Sequence, residues 1–398
     1  MALERSEPAS WNSGREGMVG KPRSGAHICF VSMAMYPMLV GAEDIDFAGG
    51  GEMQQAVLAR VLHADGYRVS VLTADFGQPE FVESDGIEIH RVPAPGKRGI
   101  KGLRFIHPLM SDIVNTLQRI DPDVMYFRVA GFRLAAVAWY AKIRHKAFIY
   151  ACASDREFQD RSVSKFSRRD EFLFRLSLRS ASAVLVQNVR QQELLQANFA
   201  REAVLMPNCY AEPGVARATP LRSVLWVGTF KPVKRPDLFI ELARRNPSLQ
   251  FVMVGGVDHS NDLNGQYYES MQQAAATVPN LEFVGFVPLV KINAYFDRAS
   301  LLVNTSDSEG FPNTFLQSWI RGIPTISFVK PEGAPGESGT IGCADLDEMV
   351  MHTERLSTDV MAWKQASDEC SEYFSRVHSV MAVVRQYRPL IQQLCAGS

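Results

Sequence analysis

Residues 306–319 (SDSEGFPNTFLQSW) set a carboxylate, Glu309, and an amide, Gln317, eight positions apart around a helix start. The run before them, 301–305 (LLVNT), reads as a buried strand, and Pro312 with Asn313 suits a first helical turn. Glu309 then lies in the loop at the helix mouth. Gly310 and Phe311 offer backbone N–H groups there, where the dipole is positive and an anion is stabilised. At ~1.5 Å per residue, Gln317 sits up to about 12 Å from Glu309. A ligand with a hydroxyl-bearing group at each end and a diphosphate between fits that span. A nucleotide-sugar has that form.

A second turn carries the complementary charge. Residues 227–237 (VGTFKPVKRPD) end a predicted strand and open a predicted helix, with Lys231, Lys234 and Arg235 at its N-terminus. Cations there oppose the macrodipole, at a cost of about a few tenths of a kcal/mol each, so the arrangement calls for an anion. Residues 47–54 (FAGGGEMQ) lie between the first strand and first helix. Their consecutive glycines leave amides bare for a phosphate or sugar, although this is not the GxGxxG dinucleotide pattern. In 151–158 (ACASDREF), Asp155 either orients or deprotonates an acceptor hydroxyl or caps a helix. Arg128, ending the neighbouring strand, either binds an acceptor diphosphate or neutralises Asp155.

Paired aspartates that could hold a divalent metal occur at 44–46, 121–123 and 345–347. The first reads as an acidic loop, the second (DPD) as a loop and the third (DLDE) as a helix start. No histidines stand at i, i+4 spacing, and the basic turn already supplies positive charge, so neither metal nor cofactor is expected.

The segment 306–319 resembles the glutamate–x7–glutamate motif of retaining GT-B glycosyltransferases, specifically glycosyltransferase family four. The resemblance implies that Glu309 contacts the donor sugar and that Gln317, standing where the family has its second glutamate, holds the nucleotide ribose. It also places Lys234 on the donor diphosphate, with Thr229 where the family usually has an arginine and Lys231 or Arg235 replacing that charge. Gly50, Gly51 and Glu52 match the family's Gly-Gly-x-Glu turn in a register uncertain by one residue. Ser154-Asp155 replaces an acceptor-facing histidine turn, leaving Arg128, Asp155, Arg156 and Glu52 as acceptor-side residues. Gly310, Phe311, Asn313 and Arg235 complete the donor side. The implied reaction is front-face transfer, with the leaving diphosphate taking the acceptor proton.

Those residues need a scaffold that brings distant loops together. Apolar strands alternate with helical patterns nearly end to end, which argues for parallel sheets covered on both faces. Strands are predicted at 27–32, 68–74, 87–92, 124–128, 147–152, 183–187 and 203–206, then at 224–228, 250–255, 281–286, 301–304 and 325–328. Helices are predicted near 52–64, 109–120, 132–144, 168–181 and 189–198, then 234–246, 265–277, 289–298 and 313–321. Residues 207–220 read as a linker. The expected organisation is a flexible leader (1–24), an acceptor domain (25–207) and a donor domain (208–371). A last helix (372–398) follows, which the resemblance sends back onto the first domain. The fold class is α/β: two Rossmann-like domains facing each other across a cleft.

A net charge of −1 over 398 residues excludes a general nucleic-acid binder. No apolar run reaches the ~18 residues that span a bilayer, and 1–24 lack the apolar centre of a signal peptide. The six scattered cysteines read as reduced core thiols. Two basic–apolar stretches, 97–110 (KRGIKGLRFIHPLM) and 156–179, suit either an anionic lipid surface or solvated helix faces. The expectation is a cytoplasmic protein, peripheral on the inner face of a membrane, taking a nucleotide-sugar donor and a saccharide or lipid-linked acceptor of polysaccharide synthesis. The rivals are a 2-epimerase of the same fold and a non-catalytic nucleotide-sugar-binding protein.

Overall fold

The computed structural model describes residues 25–41, 49–94, 103–159, 167–212, 215, 217–220, 223–257, 263–330 and 339–397. The leader, the aspartates at 44–46 and the cations Lys97, Arg98 and Lys101 lie outside the described residues.

The first domain is an eight-stranded sheet ordered β3-β4-β2-β1-β5-β6-β7-β8. Its elements run β1 (His27–Val31), α1 (Tyr36–Val40), α2 (Gly50–Ala64), β2 (Arg68–Thr73), β3 (Phe81–Ser84) and β4 (Ile87–Arg91). Then come an irregular turn (Phe105–Met110) broken by extended backbone at His107, α3 (Ser111–Ile120), β5 (Val124–Arg128), α4 (Leu134–Arg144) and β6 (Ala147–Ala151). A 3₁₀ turn (Asp155–Glu157), α5 (Arg168–Ser180), β7 (Ala183–Val186), α6 (Val189–Phe199) and β8 (Val204–Leu205) complete it. The β1, β5 and β6 strands are buried along their whole length, as expected of parallel strands covered on both faces. β3 differs: it pairs antiparallel to β4 at the edge and is half exposed, and its FVES sequence gives little strand signal.

The second domain is a fully parallel six-stranded sheet ordered β11-β10-β9-β12-β13-β14. Its elements are β9 (Ser223–Val227), a 3₁₀ turn (Pro232–Lys234), α7 (Pro236–Arg245), β10 (Gln250–Val254), α8 (Leu263–Ala275), β11 (Leu281–Gly285) and α9 (Leu289–Phe296). They continue with β12 (Ala299–Asn304), α10 (Asn313–Trp319), β13 (Thr325–Ser327), β14 (Thr340–Gly342), α11 (Leu346–Thr358) and α12 (Val360–Val377). Because α7 begins at Pro236, Lys234 and Arg235 stand before the helix and not in its first turn as expected. Arg235 takes a left-handed conformation (φ 47°) between the two.

The expected single terminal helix is two. α12 stops at Val377, His378 closes it, and Ser379 caps α13 (Val380–Ala396) by accepting from the Ala382 amide. α12 packs on the second domain, whereas Val383, Val384, Tyr387 and Ile391 of α13 enter the core of the first. The linker expected at 207–220 is packed at its start: Asn208, Cys209 and Tyr210 are buried, as is Met206 before them. The two chain passes between domains bond each other, with His378 Nδ1 2.7 Å from the Asn208 carbonyl and the Tyr210 amide donating to the His378 carbonyl. All six cysteines are unpaired, and five are buried. The DPD and DLDE aspartates have structural work: Asp123 accepts from the His27 amide, Asp345 caps α11, and Asp121 is a left-handed helix end.

His378 lies in a ring of Phe311, Trp319 and Tyr373, with centroids 4.8, 5.7 and 5.5 Å away. Its Nε2 is buried without a partner among the described residues, so protonation would bury an unpaired charge. Burial accordingly lowers its pKa from 6.5 to about 4, and His27 is lowered to about 4 mainly by the same cause. Above pH 6.5 both states are neutral. Below it the unfolded chain takes up protons that the folded chain refuses, so stability falls as pH drops from 6.5 toward 4. The His378 imidazole should remove on the order of 2 kcal/mol between pH 6.5 and 5. Denaturant melts at those two pH values should show a smaller loss for His378→Gln than for the wild type. An equal loss would mean that His378 is charged in the fold.

Candidate active site

Both sheets change winding direction at one point, and open α/β sheets bind ligands outside the carboxyl ends of the strands there. In the second domain the point is the β9/β12 pair, so the loops after these strands, 228–235 and 305–312, are neighbours across the sheet. Thr305, fully buried, joins them. Its hydroxyl accepts from the Trp226 indole at 3.1 Å and donates to the Lys234 carbonyl at 2.8 Å. The Asp307 amide adds a bond to the Val233 carbonyl at 2.9 Å. These three bonds fix both loops before any ligand arrives.

Their result is the contact between Lys234 Nζ and the Glu309 carboxylate, an ion pair whose side chains are 21 % and 12 % exposed. The same Glu309 oxygen accepts from Ser306 Oγ at 2.7 Å and Asn304 Nδ2 at 3.3 Å. Lys234 and Glu309, 75 positions apart, thus form one charged centre with a single supporting frame. The Gly310 and Phe311 amides make no hydrogen bond among the described residues, so they remain free to donate.

The first domain meets this centre closely. Asn313 donates through Nδ2 to the Gly50 carbonyl at 2.8 Å. A Cβ on Gly310 would lie 2.6 Å from the Ala153 carbonyl oxygen and 3.2 Å from Gln187 Oε1, so only glycine fits there. A Cβ on Gly51 would approach Arg128 Nε at 3.9 Å, which puts this glycine turn at the first domain's own β1/β5 switch point. The two switch points therefore face each other.

The other predicted residues sort less simply. Thr229 is exposed beside the centre. Arg235 bonds Asp237 (3.0 Å) and Asp307 (3.4 Å), so its charge is already committed to carboxylates. Gln317 is 3 % exposed and gives its amide to Asn293 Oδ1 at 3.0 Å, inside the domain and not at a cleft surface. Asp155 accepts from Gln191 Nε2 at 2.9 Å and Asn188 Nδ2 at 3.4 Å, tying its 3₁₀ turn to the start of α6, while Ser154 caps that turn. Arg156 is exposed, and Glu52, in the first turn of α2, folds over Gly49. Phe311 packs its ring on His378 and Trp319. Sequence reasoning did not single out Thr305, Trp226, Ser306, Asn208 or Gln187. Of these, only Thr305 and Ser306 carried a signal, as polar residues directly following a buried strand.

Residues 49–209 match the family model for a glycosyl transferase 4-like domain, and residues 215–337 match that for glycosyl transferases group 1. The two models together cover most of the chain, which belongs to the group 1 glycosyltransferases of GT-B fold. It is 20 % identical over 371 residues to an uncharacterized glycosyltransferase of Haemophilus influenzae, covering 87 % of this chain and 98 % of that one. Its fold is similar to sucrose-phosphate synthase from Thermosynechococcus elongatus (TM-score 0.73, 17 % identity, 94 % of this chain and 100 % of that). It is also similar to Anabaena HepE in complex with UDP and glucose (TM-score 0.68, 15 % identity, 92 % of this chain and 100 % of that).

The Gly310 contact makes interdomain distance a measurable property. Gly310→Val should push the domains apart, increasing the radius of gyration in solution scattering. Transfer should fall by about 10²-fold, because an ångström-scale misplacement of catalytic groups has that effect. Unchanged scattering and activity would show that the close approach plays no part in turnover.

Proposed function

We propose that this glycosyltransferase retains anomeric configuration, moving a sugar from a nucleoside-diphosphate-sugar to an acceptor hydroxyl without a metal ion. The observation that carries this reading is the Lys234–Glu309 centre at the β9/β12 switch point. A donor entering there exchanges one ion pair for two separate contacts. Lys234 turns to the diphosphate, and Glu309, still held by Ser306 and Asn304, accepts from sugar hydroxyls. The unpaired Gly310 and Phe311 amides add donors close by. Supporting the donor class, the similar HepE structures hold UDP with glucose and UDP-glucose.

In this scheme the bond from the anomeric carbon to the diphosphate oxygen breaks as the acceptor oxygen bonds to the same face. The acceptor proton passes to the departing phosphate oxygen, whose growing charge Lys234 and the amides stabilise. Glu309 serves as a hydroxyl acceptor and electrostatic partner, with no covalent sugar intermediate. The buried Gln317 amide makes its ribose role indirect, through the position of α10. Asp155 acts by holding its turn against α6.

The acceptor side favours a lipid-linked saccharide. Leu103, Ile106, Phe172 and Leu176 are all at least half exposed, and Arg169 stacks on Phe105 at 4.4 Å beside them. No helix among the described residues is long and apolar enough to cross a membrane. A basic–apolar face on the first domain suits adsorption to an anionic surface.

Glu309→Ala should leave the fold intact and cost ~2–4 kcal/mol in transition-state stabilisation, read as loss of turnover with a labelled nucleotide-sugar. Near-normal turnover would remove Glu309 from the site. Lys234→Ala should weaken nucleoside diphosphate binding in a calorimeter and lower turnover by about 10²-fold. Activity should persist in EDTA, and its loss with rescue by added Mg²⁺ or Mn²⁺ would overturn the metal-free scheme.

A further inference from the structure

A cavity of about 20 Å³ lies below the β1/β5 switch point, walled by the ends of β5, β6 and β7, helices α2 and α13, and residues 206–209. Its polar lining is Gln54, Arg128, Gln187 and Asn208, each no more than 8 % exposed. Their orientations are determined by fixed donors. The Cys209 amide donates to Gln54 Oε1 at 3.2 Å, which leaves Gln54 Nε2 over. Arg128 Nη2 donates to Asn208 Oδ1 at 3.4 Å, and Gln187 Nε2 donates to the same oxygen at 2.9 Å. Asn208 Nδ2 and Gln187 Oε1 are therefore left over as well. Among the described residues Arg128 Nε is also buried without a partner.

The inventory is lopsided: three unsatisfied donor groups, one of them on a cation, against one acceptor. A buried water would meet hydrogen bonds but not charge, and an uncompensated buried charge is costly. Among the described residues no carboxylate pairs with Arg128. Glu157 is the nearby acid, but its carboxylate is engaged by the Tyr150 hydroxyl at 2.5 Å and the Ala153 amide at 3.3 Å, and burial raises its pKa. The lining also reaches the cleft at two places. Gln187 Oε1 borders Gly310, and Arg128 Nε borders Gly51.

We infer that this cavity is the inner end of an oxyanion subsite, taking one oxygen-bearing edge of a phosphate or carboxylate that the acceptor carries. The space admits one or two water-sized atoms, so the rest of the group stays toward the cleft. Arg128, Gln54 and Asn208 donate to the anionic oxygens, and Gln187 accepts from a protonated one. The acceptor role rests on the transfer reaction proposed above; the anion site itself does not.

Calorimetry of the full chain without nucleotide tests it, using glycerol 3-phosphate, inorganic phosphate and glycerol as probes. Glycerol 3-phosphate should bind and glycerol should not. The Kd should rise at least about tenfold in Arg128→Gln, the loss expected for a charge-assisted bond, and stay unchanged in Lys234→Met, which removes the donor-side cation. Asn208→Asp, which supplies Arg128 with a carboxylate, should also abolish binding and serves if Arg128→Gln does not fold. Binding that follows Lys234 and ignores Arg128 and Asn208 would overturn the site, as would no binding at all. Binding of inorganic phosphate without the ester would overturn the acceptor assignment in favour of a free anion. Failure of the donor scheme would leave the ester result standing, so the two readings are separable.

Discussion

The cleft depends on a double crossing of the chain between its two domains. Residues 206–212 carry the chain out, residues 377–380 carry it back, and His378 ties the two passes together through the Asn208 carbonyl. The imidazole stays neutral there because Phe311, Trp319 and Tyr373 surround it, and Phe311 belongs to the segment that supplies Glu309. One small cluster therefore joins the two chain passes to the loop that carries Glu309.

On each side of that crossing the sheets impose the same solution. A parallel sheet that reverses its winding opens a crevice at one strand pair, and the loops that follow those two strands converge. Lys234 and Glu309 meet by this rule, and Thr305 makes their meeting rigid by satisfying an indole donor and a backbone carbonyl with one hydroxyl. In the first domain the equivalent point holds glycines and a buried arginine. One wall presents a paired charge and the other an unpaired one.

Much of this was legible in the sequence. Strands such as 124–128 and 147–151 announce themselves because both faces of a parallel sheet are buried and the run is largely apolar. Glu309 and Lys234 stood out from their local turns, although their contact did not, since it depends on the order of strands. The burial of Gln317 against Asn293 was not legible, because helical spacing gives distance along an axis and not the direction in which a side chain is buried. Asp155 stood as either a catalytic acid or a cap; its partners in α6 lie over thirty residues away and could not be read from the turn. The break at His378 was missed for another reason: the apolar period continues through it, and only Ser379 marks a new start.

The placement of α13 bears on how the chain is made. The first domain's core includes Val383, Val384, Tyr387 and Ile391, which leave the ribosome more than 170 residues after β8. Until then the groove that receives them faces solvent, although every strand of its sheet has already been synthesised. The second domain can form in that interval, because its helices and strands are contiguous from β9 to α12. The domain begun first is thus the one completed last, because its core waits for the final helix of the chain.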